Sequence, residues 1–240
     1  MQNLSDLRIK IFMDGAEVTS MKAAIADMPY IKGFTTNPTL MRKAGVTDYA
    51  SFAKQAIAAV NGFPISFEVF SDDLDEMERE ARVIRSWGGN TSVKIPVTNT
   101  KGVSTAPLIE KLSAEGIPLN VTAILTLSQV RSVCAALDPK TPSIVSVFAG
   151  RIADTGVDPV PMMSEACRIL KERPQAELLW ASPRELLNVF HADQCGCHII
   201  TATPDVLAKL KLVGKDLSAY SLETVKMFYN DAQASNFRLI

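Results

Sequence analysis

Four cysteines (Cys134, Cys167, Cys195 and Cys197) and two histidines are all the thiols and imidazoles that these 240 residues hold. Usage this sparse argues against a disulfide framework. His191, Cys195, Cys197 and His198 do lie close together in sequence. Their spacing does not match the paired C-x2-C pattern of zinc sites, and a loop running into a buried strand explains the cluster more simply, so no metal is expected. Charge of either sign is also scarce in excess: the net charge is −1 and the estimated pI 6.2. That balance gives no bulk pull toward nucleic acid or an anionic membrane, and any anionic ligand must be met by a local basic site. No run approaches the roughly 18 apolar residues of a membrane span, and the opening MQNLSDLRIK has an acidic residue and no apolar leader segment. The expectation is a soluble, cytoplasmic protein. A Gly-x-Gly-x-x-Gly turn is missing as well, which removes the main cue for a dinucleotide-binding open sheet.

What the chain has is a repeated apolar signal. Eight short segments read as strands: Arg8–Gly15, Gly33–Pro38, Ile65–Phe70, Ser92–Val97, Pro118–Ile124, Ser143–Gly150, Glu177–Ser182 and Cys197–Thr203. Several are apolar almost throughout, as in a parallel sheet covered on both faces. Between them lie helical patterns at Ala50–Val60, Leu74–Trp87, Ala106–Glu115, Leu127–Leu137 and Pro159–Lys171, the fourth opening with a capping box of Thr126 and Gln129. Strand–helix alternation allows a closed eightfold barrel or an open doubly wound sheet. The count of eight and the length favour one α/β domain over residues 1–240, a parallel (β/α)8 TIM barrel, and the 47% apolar content is ample for its core. Beyond the last strand, Leu217–Ala234 reads as an extra amphipathic helix, with Tyr220, Leu222, Val225, Phe228 and Tyr229 available to pack on the barrel or on a neighbouring subunit.

Lys94 breaks the pattern, because it sits inside the apolar run Ser92-Val93-Lys94-Ile95-Pro96-Val97. Burial disfavours the charged form of a lysine, and a neutral amine is a nucleophile suited to a ketone or aldehyde. A structural ion pair is the alternative. In a barrel of this kind functional residues gather at the C-terminal ends of strands, and residues two apart share a face. Asp14, Asn37, Glu68, Lys94, Thr122 with Asn120, Ser146 with Phe148, and Ser182 all fall there. Strands three to five place Glu68 and Thr122 on either side of Lys94, where they could hold a water for proton transfer. Asp14 could take a proton from a substrate hydroxyl.

A second cue points to an anion. Ser182-Pro183-Arg184-Glu185 reads as N-cap, N1 proline and N3 glutamate, which predicts a helix N-terminus directly after strand seven, a ready phosphate site. Arg184 in that turn and Arg151 after strand six could close on the same anion.

The chain resembles the transaldolases, in particular the short single-domain branch that includes fructose-6-phosphate aldolase. The resemblance spans about Ile11 to Leu212. It is carried by Phe12-Met13-Asp14, Thr35-Thr36-Asn37-Pro38-Thr39, Glu68-Val69, Val93-Lys94-Ile95-Pro96, Asn120-Val121-Thr122, Ser146-Val147-Phe148-Ala149-Gly150-Arg151 with Asp154 and Gly156, and Ala181-Ser182-Pro183-Arg184. It implies a Schiff-base lysine at Lys94 and transfer of a dihydroxyacetone unit from a ketose phosphate to an aldose phosphate. It further implies Asp14 as the acid/base, a catalytic water held by Glu68 and Thr122, a donor positioned by Asn37, Asn120 and Ser146, and phosphate bound by Arg151, Ser182 and Arg184. No metal or organic cofactor is implied, and a homo-oligomer is, a pentamer or decamer with C-terminal helices exchanged between neighbours. Glu68 and Phe148 follow the transaldolase pattern; the fructose-6-phosphate aldolase pattern has Gln and Tyr there. Release of free dihydroxyacetone is the rival activity, and a non-catalytic sugar-phosphate-binding barrel the rival of another class.

Overall fold

A computed structural model describes residues 4–235 and 237–238. Met1–Asn3, Asn236, Leu239 and Ile240, which the expected domain includes, lie outside the described residues. Eight strands form a closed, all-parallel barrel in sequence order: β1 (Lys10–Asp14), β2 (Ile31–Thr35), β3 (Ile65–Glu68), β4 (Thr91–Pro96), β5 (Leu119–Ile124), β6 (Ser143–Val147), β7 (Ala176–Trp180) and β8 (Ile199–Ala202). The helices are α1 (Val18–Asp27), α2 (Pro38–Lys43), α3 (Tyr49–Val60), α4 (Leu74–Ser86), α5 (Ala106–Ala114), α6 (Leu127–Ala136), α7 (Ala149–Ala153), α8 (Val160–Leu170), α9 (Leu187–Gln194), α10 (Pro204–Leu207) and α11 (Leu217–Ala234). The fold class read from the sequence is therefore the observed one.

Strand parity sorts the side chains. Phe67, Val93, Ile95, Val121, Val145, Leu178 and Trp180 point outward and form, with the apolar faces of the helices, the large core between sheet and helix ring. In α4 the stripe of Met77, Ala81 and Ile84 is buried, the Asp73 carboxylate caps the first turn by accepting from the amides of Asp75 and Glu76, and Arg85 lies in the last turn. The Thr126–Gln129 capping box is also present.

Inside the barrel lies a second, smaller apolar cluster of Phe12, Ile144, Leu179, Ala181 and Ile199. It forms a floor. A Cβ at Gly33 would stand 2.5 Å from the Phe12 ring, so a glycine at that inward position of β2 is what lets the ring fill the barrel axis. Above the floor the inward residues turn polar, from Thr35, Ser66, Asn120, Ser146 and Thr201 up to Asp14, Glu68, Lys94 and Thr122.

Most strands end a residue or more before the expected bounds, and three of these ends bear on the site. β2 stops at Thr35 and β6 at Val147, so Asn37 and Phe148 are N-cap residues of α2 and α7 rather than strand residues. Pro38 at N1 makes Asn37 a cap, and its side-chain oxygen accepts from the Leu40 amide at 2.9 Å. Ser182 lies beyond the end of β7. The helix expected to begin at Ser182 begins instead at Leu187. Ser182 has φ +57, left-handed backbone that an N-cap does not adopt, and the amides of Arg184 and Glu185 are taken by the Asn188 side chain.

The C-terminal helix α11 has the expected bounds and no buried residue; Tyr220, Leu222, Val225, Phe228 and Tyr229 stay exposed. Among the described residues no helix is long and apolar enough to cross a membrane. The His–Cys segment is a helix end leading into a strand: Cys195 follows α9, Gly196 turns with φ +80, and the His198 Nδ1 accepts from the Leu178 amide.

Candidate active site

A cavity of about 410 Å³ opens at the C-terminal ends of the strands, and Asp14, Asn37, Glu68, Lys94, Asn120, Thr122, Ser146, Phe148, Arg151 and Ser182 all line it. Ten of the eleven residues picked out from the sequence thus meet in one place. Arg184 does not line it.

Lys94 arrives from β4 with its side chain 9% exposed. Its Nζ donates to Glu68 Oε2 at 2.9 Å and to the Thr36 carbonyl at 3.0 Å. The register sets this geometry, because Glu68 on β3 pairs directly with Lys94. The Tyr49 hydroxyl, donating to the Glu68 carbonyl at 3.0 Å, pins the end of β3. Of the two alternatives left open by the sequence, the ion pair is present as a direct contact, and it lies at the cavity wall where a reactive amine would have to stand. A carboxylate that holds the ammonium can also take its proton.

Beneath the pair runs a buried, satisfied chain. Ser146 Oγ donates to Asn120 Oδ1 at 2.6 Å, and Asn120 Nδ2 donates to Ser66 Oγ at 3.0 Å. This fixes the Asn120 amide, with its orientation set by its partners on β3 and β6. The Thr122 hydroxyl is different: it is buried and has no partner among the described residues, although it lines the cavity. Leaving such a group unpaired costs about 1–3 kcal/mol, which a polar atom of a bound molecule would recover. The next residue, Ala123, has φ +62 at a register shift between β5 and β6. A non-glycine residue in that region costs about 1–2 kcal/mol. With Ser182 it gives the cavity rim two strained positions that sequence reading did not flag.

Asp14, at the top of β1, accepts from Thr35 Oγ1 at 2.7 Å through one carboxylate oxygen and from Asn37 Nδ2 at 3.1 Å through the other. Loss of water pushes its pKa above the ordinary carboxylate value; the charge of Lys94, the Thr35 hydroxyl and the Asn37 amide pull it back, and Glu68 adds to the rise. A carboxyl group balanced in this way suits repeated gain and loss of a proton. Thr35, Thr201 and Thr203 also line the cavity and were not singled out from the sequence. The signal was present for Thr35, two residues before Asn37 on the same face.

The anion region is built differently from expectation. Arg151, in the first turn of α7, sits with its guanidinium carbon 5.2 Å from the centre of the Phe148 ring and lines the cavity. Arg184 is turned to Asp154, with Nε donating at 2.9 Å and a second, shorter bond from the same guanidinium. Both partners are about half exposed. That guanidinium, aided by Arg151, holds the Asp154 carboxyl below the usual range. Arg151 therefore faces the cavity while Arg184 is held by Asp154 outside it, and the two do not converge on one point.

Comparison with known proteins gives a consistent result. The family described as Transaldolase/Fructose-6-phosphate aldolase matches residues 11–239. A protein named probable transaldolase from Dehalococcoides mccartyi is 34% identical over 84% of this chain and 90% of its own length. One from Streptococcus equi subsp. zooepidemicus, also named probable transaldolase, is 36% identical over the same shares. Among solved structures, a dihydrodipicolinate synthase family protein from Coccidioides immitis superposes with a TM-score of 0.57 at 13% identity, covering 82% of this chain and 67% of its own. A mandelate oxidase mutant does so at 0.57 and 16%, covering 98% of this chain and 80% of its own. At such identities these two speak for the fold alone.

Proposed function

This chain belongs to the transaldolase/fructose-6-phosphate aldolase family, and we propose that it transfers a dihydroxyacetone unit from a ketose phosphate, such as fructose 6-phosphate or sedoheptulose 7-phosphate, to an aldose phosphate through a Schiff base on Lys94. The observation that carries this reading is the buried Lys94 amine, bonded to Glu68 at the base of a polar cavity that Asp14 shares. In the proposed cycle Glu68 takes a proton from the ammonium, and the amine adds to the C2 carbonyl to give a carbinolamine. The protonated Glu68 returns its proton to the departing hydroxyl, which leaves as water. Thr122 is suited to hold that water, since its hydroxyl has no partner among the described residues. Asp14 takes the proton of the C4 hydroxyl as the C3–C4 bond breaks, releasing an aldose phosphate and leaving an enamine on Lys94. An acceptor aldehyde then reverses the steps. Asn37, Asn120 and Ser146 position the donor, while Arg151 and Ser182 face the phosphate, with Arg184 joining them by leaving Asp154.

Transfer rather than release of free dihydroxyacetone is supported by Phe148. Its ring packs on the apolar floor and brings no hydroxyl to orient water against the enamine. The exposed apolar residues of α11 support a homo-oligomer in which this helix packs on a neighbouring copy. Aspartate at Leu222 and Phe228 would then reduce the mass measured by light scattering; an unchanged mass would refute that role.

The decisive experiment is to incubate the protein with fructose 6-phosphate, reduce with borohydride and locate the adduct by peptide mass. The adduct is expected on Lys94, and Lys94→Arg is expected to be folded and inactive, because a guanidinium does not give up its proton. Lack of an adduct across a panel of ketose phosphates would sink the Schiff-base reading. Adding erythrose 4-phosphate separates transfer, which consumes it, from release of free dihydroxyacetone.

A further inference from the structure

We infer that Thr201, on the inner face of β8, is a positioning residue for Asp14 that acts through the hydroxyl of Thr35. The inference rests on the Schiff-base reading above, in which Asp14 takes up the substrate's hydroxyl proton. β1 lies between β2 and β8, and the register pairs Asp14 with Thr35 on one side and Phe12 with Thr201 on the other. Thr35 and Thr201 thus meet across the inner face of β1, with their hydroxyl oxygens 2.5 Å apart. Direction follows from hydrogen counting. Thr35 has one hydroxyl hydrogen, and an ionised carboxylate only accepts, so the 2.7 Å bond to Asp14 uses that hydrogen. Thr201 must then donate to Thr35. The result is two hydroxyls in series, Thr201 donating to Thr35 and Thr35 to one carboxylate oxygen, while the Asn37 amide holds the other at 3.1 Å. Donors in series polarise one another and favour the charged acceptor.

A purely structural role for Thr201 would be met by valine, which has the same shape. Its inward neighbour on β8 is the apolar Ile199, in the barrel floor, so β8 changes from apolar to hydroxyl at the level where Asp14 needs a donor. The charged groups that face Asp14 are Lys94 from β4 and Glu68 from β3; β2 and β8 bring hydroxyls, and the α2 cap brings the Asn37 amide. Thr201 is therefore the outer end of an uncharged chain that holds Asp14 in its proton-accepting form and orientation.

The test compares Thr201→Val and Thr201→Ser with wild type in two measurements: the pH profile of transfer, and borohydride trapping of dihydroxyacetone on Lys94. In the valine variant the acid limb of kcat should move to higher pH, with a loss of about tenfold on the acid side and about threefold on the plateau, the range expected when one hydrogen bond to the working base is removed. The Michaelis constant and the yield of Lys94 adduct should stay within about twofold of wild type, since neither step uses Asp14 as a base. Serine, which keeps the hydroxyl, should restore the profile. A wild-type profile in the valine variant, or equal losses at every pH in both variants, would overturn the inference. Absence of any adduct in wild type would instead refute the Schiff-base reading. Thr201 is then judged by carbon-13 titration of the Asp14 carboxyl, assigned with Asp14→Asn: its midpoint must rise in the valine variant, and an unmoved midpoint overturns the inference.

Discussion

Gly150→Ala is a single methyl whose cost can be worked from distances. Gly150 lies in α7, one residue before Arg151, and its amide donates to the Ala181 carbonyl at 3.3 Å. A Cβ there would stand 1.5 Å from the Ser182 carbonyl oxygen and 2.6 Å from its carbon. The obstacle is backbone, so no rotamer change relieves it. The two segments must separate by roughly 2 Å to reach ordinary contact, well beyond what a packed structure absorbs. Overpacking of this kind costs about 1–3 kcal/mol, and more when backbone must move. At about 3 kcal/mol the melting temperature of a protein this size falls by roughly 6–12 °C. The functional consequence is separable. The displaced segment carries Ser182 and Arg184, opposite Arg151, so the Michaelis constant for fructose 6-phosphate should rise at least about tenfold, as expected when binding groups move by an ångström or more. Trapping of unphosphorylated dihydroxyacetone on Lys94 should persist, because β4 is untouched. Gly15→Ala is the matched control: a Cβ there meets nothing within 4 Å, although Gly15 adjoins Asp14, and both stability and kinetics should stay near wild type. A Gly150→Ala protein with wild-type melting temperature and Michaelis constant would refute the argument that this glycine sets the approach of the two rim segments.

Asp14→Asn should be inactive in transfer yet more stable than wild type at neutral and alkaline pH. The sign follows from burial: the folded-state pKa of Asp14 lies above 3.8, so ionisation costs more in the folded protein than in the unfolded chain. That penalty is absent below the unfolded pKa, grows as pH rises toward the folded value and is complete above it. The stability advantage of the asparagine variant should therefore vanish in acid, as read by denaturant titration at several pH values; an advantage that is largest in acid would contradict the assignment. Arg184→Ala should raise the Michaelis constant for phosphorylated substrates about tenfold with little change for dihydroxyacetone, as a lost charge-assisted contact would. Equal losses for both would mean that Arg184 serves only to hold Asp154.

The barrel was legible because its signal is periodic. Eight apolar segments alternating with helical stripes leave few architectures, and parity then puts Ser66 with Glu68 and Asn120 with Thr122 on one face. The ends of elements were less legible, since they are decided by neighbours in space. Ser182-Pro183-Arg184-Glu185 has the composition of a helix start, yet Ser182, closely approached by Gly150, has φ +57, which no N-cap adopts, and α9 begins only at Leu187. The destination of a long side chain was the least legible of all. Arg184 sits beside cavity residues in sequence, but its guanidinium reaches Asp154, 30 residues earlier in the chain, which no local pattern announces. Thr35 and Thr201 were missed for a related reason, because threonine in a strand is ordinary and only the closed barrel brings the two hydroxyls together.

The closeness of Lys94 and Glu68 also bears on how the site tolerates its own chemistry. Asp14 feels the ammonium as a stabilising charge and the Glu68 carboxylate as a weaker opposing one. When the proton passes from Lys94 to Glu68 in the proposed cycle, both charges disappear at once, so the loss of the stabilising charge on Asp14 is partly offset by loss of the opposing one. No ion has to leave the cavity for the nucleophile to be uncovered. On iminium formation the positive charge returns to the same nitrogen, where it again favours the ionised form of Asp14 at the step that needs a base. Replacing the Lys94–Glu68 contact by two separately solvated groups would lose this synchrony. In the proposed cycle the 2.9 Å contact that first reads as a structural ion pair is also the path by which the amine gives up its proton.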